Sequence, residues 1–170
     1  LMSVNVDSIK LLRNSTGFGI MECKKALEDA DGDIEKAKEL LEKLGSLKAT
    51  KKLSRDTKEG VIECYVHNGS RVGAIVELNC ETDFVARTSE FKELAHDIAM
   101  QVAAMNPLYI NSDDVPDKKD DTEINEDDCL LNQACIKDPS KTVENMISDA
   151  VGKMGENIRI TRFIRFAIGE

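Results

Sequence analysis

An α+β fold is predicted for this chain by three observations. Apolar residues recur at helical spacing over residues 5 to 45, they switch to strict alternation between 61 and 78, and a helical stretch followed by an alternating one closes the sequence. In the second half, helices then lie against an antiparallel sheet made of a β-hairpin and a C-terminal strand. The organisation expected is a three-helix domain over 1–45, a basic linker over 46–60, and an α+β core over 61–170 with an acidic loop at about 111–128.

The helical part is read from its spacing and its breaks. Val6, Ile9 and Leu12 mark a first helix, Ile20, Cys23 and Leu27 a second, and Ile34, Ala37, Leu41 and Leu44 a third. "STGFG" supplies two glycines for the first break, and "DADGD" sets Gly32 before Asp33, a good N-cap. A domain of about 40 residues is near the lower limit for an independent core, so this one is expected to be marginal by itself. The next stretch, "GSLKATKKLSRDTKEG", sets Lys48, Lys51, Lys52, Arg55 and Lys58 against Asp56 and Glu59. It reads as a solvated basic connector with room for some helix. An RNA contact would want interleaved aromatic residues for stacking, and it has none.

The pattern then takes a period of two. "VIECYVH" puts Ile62, Cys64 and Val66 on one face, and "RVGAIVELN" does the same for Val72, Ala74, Val76 and Leu78. A two-residue Asn68-Gly69 turn would set Val66 against Arg71. A three-residue Asn68-Gly69-Ser70 loop pairs Val66 with Val72, Cys64 with Ala74 and Ile62 with Val76, and so predicts one buried face holding all seven apolar residues.

Phe91, Leu94, Ile98, Val102 and Met105 trace a core-facing helical stripe that Asn106-Pro107 stops. His96 lies beside it as a boundary or surface residue. After the acidic segment, Val143, Met146, Ile147, Ala150 and Met154 mark a helix. In the last stretch Ile158, Ile160, Ile164, Phe166 and Ile168 share a parity that Arg162 violates, which predicts a bulge or break near Arg162.

Composition excludes several classes of function. The 170 residues are 41% apolar, with no run near the ~18 residues of a membrane span. The formal charge of −9 argues against whole-molecule affinity for nucleic acid or anionic lipid, although nine acids and two lysines between Asn111 and Asp128 account for most of it. Five cysteines form no CxxC pair and have no histidine at zinc-ligand spacing, so neither a metal site nor a disulfide framework is expected. Reduced thiols point to a cytosol or an organelle matrix. The chain starts at Leu1 without an initiator, so a targeting peptide would lie upstream. No phosphate-binding, nucleophile-elbow, zinc-protease or calcium-loop motif is present, and two isolated histidines leave little material for acid-base work. The expectation is a protein that is not an enzyme, needs no cofactor, and acts by binding another macromolecule.

One stretch remains to be accounted for. "NCETDFVAR", Asn79 to Arg87, places a phenylalanine among polar neighbours where the alternating run ends. On pattern alone Phe84 has two readings: it packs under the helix that starts near Thr88, with Thr82 or Asp83 capping a turn, or it projects as an anchor for a partner.

"STGFGIMECKKALEDADGDIEKAKELL" resembles the N-terminal domain of bacterial and organellar elongation factor Ts, "VELNCETDFVAR" resembles that family's central motif, and "GENIRITRFIRF" its C-terminal strand. The first stretch taken alone is also similar to ubiquitin-associated (UBA-like) domains, a scaffold shared by unrelated binders. That likeness implies a rival function, an adaptor for ubiquitin or a similar small domain. The three-part resemblance implies a guanine nucleotide exchange factor for the translational GTPase elongation factor Tu. Its N-terminal helices would grip the partner's nucleotide-binding domain, and Thr82, Asp83, Phe84 and Val85 would insert near the Mg²⁺ and phosphate site.

By the same resemblance, Asp83 and Phe84 are the acting residues, and a second copy of the chain is a further partner, joined sheet to sheet as in short family members. No membrane or direct nucleic-acid contact is implied, and the setting is the bacterial cytoplasm or an organelle matrix. The chain departs from the family between Pro116 and Cys129, where short members carry additional helical sequence and this one has only "DKKDDTEINEDD". The extra helices are either lost from this protein or missing from the chain as given.

Overall fold

Short polar caps start and stop the first helices. The computed structural model describes residues 5–115 and 125–170. In it Asn5 Oδ1 accepts the Asp7 N–H at 3.1 Å and opens helix α1 (Val6–Thr16), a contact of a kind worth about 1 kcal/mol. Gly17, at φ 73°, closes it in the left-handed region. Helix α2 (Ile20–Asp29) begins where the Glu22 carboxylate reaches back to the Gly19 N–H at 3.1 Å. Helix α3 (Ile34–Lys52) begins at Asp33, whose Oδ1 accepts the N–H groups of Glu35 and Lys36.

The chain divides into two units, residues 1–54 with 148–155, and residues 55–147 with 156–170. In the first, Leu12, Cys23, Leu27, Ala37 and Leu41 form the core that the spacing implied, with Ile9, Ile34 and Leu44 packed against it. Val6 and Ile20 are exposed instead, and Phe18, inside the "STGFG" break, is buried. Helix α3 runs well into the expected 46–60 linker. The last turns of helix α6 (Val143–Met154) cluster with these N-terminal residues and not with the expected 61–170 core. Two glycines explain why: a Cβ on Gly152 would lie 3.0 Å from the Gly45 Cα and 3.0 Å from the Phe18 ring, so α3 and α6 touch backbone to backbone. Lys52 Nζ donates to the Gly155 carbonyl at the same junction. Periodicity carries no trace of a contact so distant in sequence.

The second unit holds an antiparallel sheet, β1 (Glu59–Val66), β2 (Val72–Cys80) and β3 (Arg159–Ala167), in that order. Helix α5 (Ser89–Met105) lies on one face, burying Phe91, Leu94, Ile98 and Val102 together with Ala95, Ala99 and Ala103, while Met105 at its end stays exposed. Thr88 caps the helix by accepting the Phe91 N–H at 3.2 Å. Buried Gln101 fastens the following chain: its Oε1 accepts the Ile136 N–H and its Nε2 donates to the Ala134 carbonyl, each at 3.0 Å.

The hairpin register corrects the expectation. Val66 pairs with Gly73, Cys64 with Ile75 and Ile62 with Glu77. The loop holds four residues, with Gly69 and Ser70 both at positive φ, the His67 N–H donating to the Val72 carbonyl and the Ser70 N–H to that of His67. A one-residue change of register turns a whole strand over. Ala74, Val76 and Leu78 are buried under α5 as expected, but β1 offers that side Val61, Glu63 and Tyr65, and Ile62, Cys64 and Val66 face away, exposed. His96 of α5 explains how two polar residues suit the covered face. Its Nδ1 lies 3.1 Å from Glu63 Oε1, and its ring meets Tyr65 edge-on at 5.5 Å.

Strand β3 carries the expected irregularity, a register shift between Glu77 and Leu78 that leaves Thr161 unpaired. The shift exchanges faces: Ile158 and Ile160 are buried before it, and Ile164, Phe166 and Ile168 are exposed after it. Arg165 then falls on the covered side, where its Nε donates to the Ala103 carbonyl at 2.9 Å.

Of the acidic segment, residues 116–124 lie outside the described residues. Its two ends run side by side: the Leu108 and Tyr109 N–H groups donate to the Asp128 carbonyl, and the Leu130 N–H donates to that of Tyr109.

Candidate functional site

Strand β2 ends at Cys80, paired with Glu59, and the chain leaves the sheet in a four-residue helix, α4 (Asp83–Ala86). Thr82 is its N-cap, with Oγ1 accepting the Val85 N–H at 3.5 Å, and the Ala86 N–H donates to the Thr82 carbonyl at 3.3 Å. Thr88 closes the turn by donating its N–H and its hydroxyl to the Val85 carbonyl, at 3.0 and 2.8 Å. One turn of helix has little stability of its own. Its conformation depends on what holds its root.

That root is held by residues far along the chain. Glu156 Oε2 accepts the N–H groups of Glu81 and Thr82 at 3.1 and 3.0 Å, and its Oε1 accepts the Thr82 hydroxyl at 2.6 Å. Glu81 returns the contact, its Oε1 accepting the Asn157 N–H at 2.6 Å, while Asn157 Nδ2 donates to the Arg55 carbonyl at 2.9 Å. Beneath them Cys80 is buried and its Sγ donates to the Thr82 carbonyl at 3.2 Å. Burial, with the nearby Glu156 and Glu59 charges, pushes the Cys80 thiol up to about 11. It is therefore a neutral thiol at ordinary pH and no nucleophile.

On this base the four residues of the expected motif stand together. Thr82 is half-buried in the clamp. Asp83 turns sideways to Arg87, 2.9 Å away across one helical turn. Val85 is half-buried, and Phe84 is 82% exposed. A phenylalanine held this far into water on a pinned turn gains nothing from the fold, so the packing reading of Phe84 does not describe the structure. Among the described residues no group of histidines, cysteines and carboxylates could hold a metal ion, and no helix is long and apolar enough to cross a membrane. What the site offers is an exposed apolar ring beside a carboxylate.

Sequence reasoning missed the clamp. Glu156 carries no signal in the sequence, because its partners lie 74 and 75 positions away and no local pattern announces them.

A second surface lies in the same unit. On the uncovered sheet face Cys64, Ile75 and Ile164 form a row across the three strands, and Val66, Gly73 and Phe166 the next. Ile62, at 67% exposed, and Phe166, at 62%, belong to it, as does Ile168. Aliphatic and aromatic residues are thus contiguous and exposed over three strands.

Comparison with known proteins follows the same lines. A family model described as "Elongation factor TS" matches residues 21–128, which include the whole of α4. The chain is 47% identical to an elongation factor Ts of Thermotoga neapolitana over 99% of both chains, and 48% identical to that of Thermotoga maritima over 99% of this chain and 98% of the relative. Against the elongation factor Ts of Carboxydothermus hydrogenoformans the identity is 45%, over 95% of this chain and 88% of the relative. The Thermotoga alignments run over 195 residues where this chain has 170, so those relatives carry sequence that it lacks.

Proposed function

The chain belongs to the elongation factor Ts family, and from that premise we propose that it is a guanine nucleotide exchange factor for elongation factor Tu, promoting GDP release during translation elongation. Thr82, Asp83, Phe84 and Val85 form the motif that enters near the Mg²⁺ and phosphate site, with Asp83 and Phe84 as its acting residues. The observation that carries this reading is the 82% exposure of Phe84 on a turn fixed at both ends.

Exchange needs no acid, base or nucleophile. It requires the factor to bind the nucleotide-free partner better than the nucleotide-bound one; by linkage the nucleotide's affinity then falls by the same factor, and incoming GTP displaces the exchange factor for the same reason. Mg²⁺ demands near-octahedral oxygen geometry, so a small displacement of its ligands loosens the phosphates it neutralises. Phe84 supplies a large side chain with few rotamers to freeze, and Asp83 a charge for partner donors. The N-terminal helices serve as the docking grip, a role supported by exposed Ile20 and Met21 at the start of α2. The setting is wherever elongation proceeds, a bacterial cytoplasm or an organelle matrix.

The uncovered sheet face supports a second partner, another copy of this chain joined face to face. Two such faces would withdraw Ile62, Val66, Ile75, Ile164 and Phe166 from water on each side.

Release of a fluorescent GDP analogue from elongation factor Tu, followed by stopped flow with and without this protein, tests the exchange function. Acceleration that saturates with protein concentration is expected. An unchanged release rate would exclude it.

A further inference from the structure

We propose that Glu156 is the positioning residue of the exchange motif: its carboxylate fixes the turn from which Phe84 projects, and it acts through Phe84. The inference rests on the exchange reading above and adds a residue to it.

Three features carry the assignment. The N–H groups of Glu81 and Thr82 lie past the last pair of the β1–β2 ladder, Cys80 with Glu59, so the strand gives them no partner. Glu156 takes both, together with the Thr82 hydroxyl, on one carboxylate. Hydrogen bonds to an ionised acceptor are about twice as strong as neutral ones, and here three converge on one side chain.

The second feature is reciprocity. Backbone 81–82 is held by side chain 156, and backbone 157 is held by side chain 81. A single hydrogen bond would leave a hinge. Three bonds that cross in both directions lock the chain exit from β2 against the chain entry to β3.

The third is the weakness of the cap that the turn makes for itself at its N-terminal end. The Thr82 cap on Val85 is long, at 3.5 Å, and α4 has one turn. Without Glu156 the direction of Phe84 spreads over many orientations, and the competent fraction of the motif falls. A state only partly populated delivers its effect in proportion to that fraction.

Glu156→Ala and Glu156→Gln separate positioning from folding. In saturation curves of GDP release, Glu156→Ala should lower the maximal rate about tenfold while the half-saturating concentration stays within twofold. A destabilised fold would do the reverse, since unfolded molecules raise the half-saturating concentration and leave the maximal rate alone. Glu156→Gln keeps an oxygen for the two N–H groups and should stay within about threefold of the parent. The double variant Glu156→Ala/Phe84→Ala should be no slower than Phe84→Ala, because Glu156 acts through that ring.

In the free protein, amide hydrogen exchange at Glu81 and Thr82 should quicken at least tenfold in Glu156→Ala, with Ala74 to Leu78 unchanged. Amides that stay protected, an unaltered maximal rate, or losses that add in the double variant would each overturn the assignment. If the parent protein fails to accelerate GDP release at all, the exchange function falls, and the amide measurement alone decides whether Glu156 positions the turn.

Discussion

Phe84 and Phe91 stand seven residues apart, one in each of two successive helices, at opposite extremes of exposure: 82% of Phe84 is open to water, and none of Phe91 is. Both follow a threonine cap, Thr82 for α4 and Thr88 for α5. The same local chemistry starts both helices, and only the sheet beneath α5 makes one phenylalanine part of the core.

Substitution of these two residues should give opposite results. Phe84→Ala should leave the thermal midpoint within a degree or two and slow stimulated GDP release by roughly thirtyfold, since an interface anchor is worth on the order of 2 kcal/mol and each ~1.4 kcal/mol is tenfold in rate. Phe91→Ala should cost about 3 to 5 kcal/mol of stability by opening a cavity. Melting curves and release rates on both proteins check the pair. Early unfolding of Phe84→Ala would return Phe84 to the core.

Asp83 should behave as part of the same unit. Asp83→Ala should slow release, and its loss combined with that of Phe84→Ala should be less than additive, as expected of neighbours that act together. Release rates for the two single variants and the double variant decide it; full additivity would separate the two residues.

Cys64 reports on the uncovered sheet face because it is the one exposed cysteine among five. If two copies join there, the parent protein should sediment as a dimer, with Cys64 slow toward a thiol reagent. Ile164→Lys, which puts a charge in the row that Cys64 shares with Ile75, should give a monomer whose Cys64 reacts at least tenfold faster. A monomeric parent with a freely reactive Cys64 would leave that face to some other partner.

Alkaline pH should weaken the fold through Cys80. Burial, together with the Glu156 and Glu59 charges, raises its folded-state value from 9.0 to about 11, so the neutral thiol is favoured in the folded protein. That contribution to stability is fully present below pH 9 and is lost as pH rises through about 11. The stability gap between the parent and Cys80→Ala, measured by denaturation from pH 8 to 11.5, should therefore narrow over this window.

Gly60→Ala should destabilise by more than about 1 kcal/mol, beyond the usual effect of such a change where the backbone accepts it. A Cβ at this position would sit 2.2 Å from the Leu78 carbonyl oxygen, inside the β1–β2 pairing. Chemical denaturation of the variant measures the cost, and a neutral substitution would mean that the strand pair shifts to accommodate it.

The sequence by itself determined whatever depends on neighbours a few positions apart. Asp33 could be read as a cap, Leu12, Leu27 and Leu41 as one helical core, and Phe91 to Val102 as a covered stripe, because hydrogen bonds and side-chain directions within a helix repeat every three or four residues. The likeness of the Thr82 to Val85 motif to a known family was legible as a resemblance of contiguous residues. Which side of β1 is covered was not. Ile62, Cys64 and Val66 look more apolar than Val61, Glu63 and Tyr65, and only the position of His96 on α5, together with the four-residue loop, sends the apolar set outward. Helix α6 joining the N-terminal helices through Gly45 and Gly152, and Glu156 gripping Thr82, were likewise decided by tertiary structure. The contacts of His96 with Glu63, Gly45 with Gly152 and Glu156 with Thr82 all join residues more than thirty positions apart, and the chain's local periodicity holds no record of them.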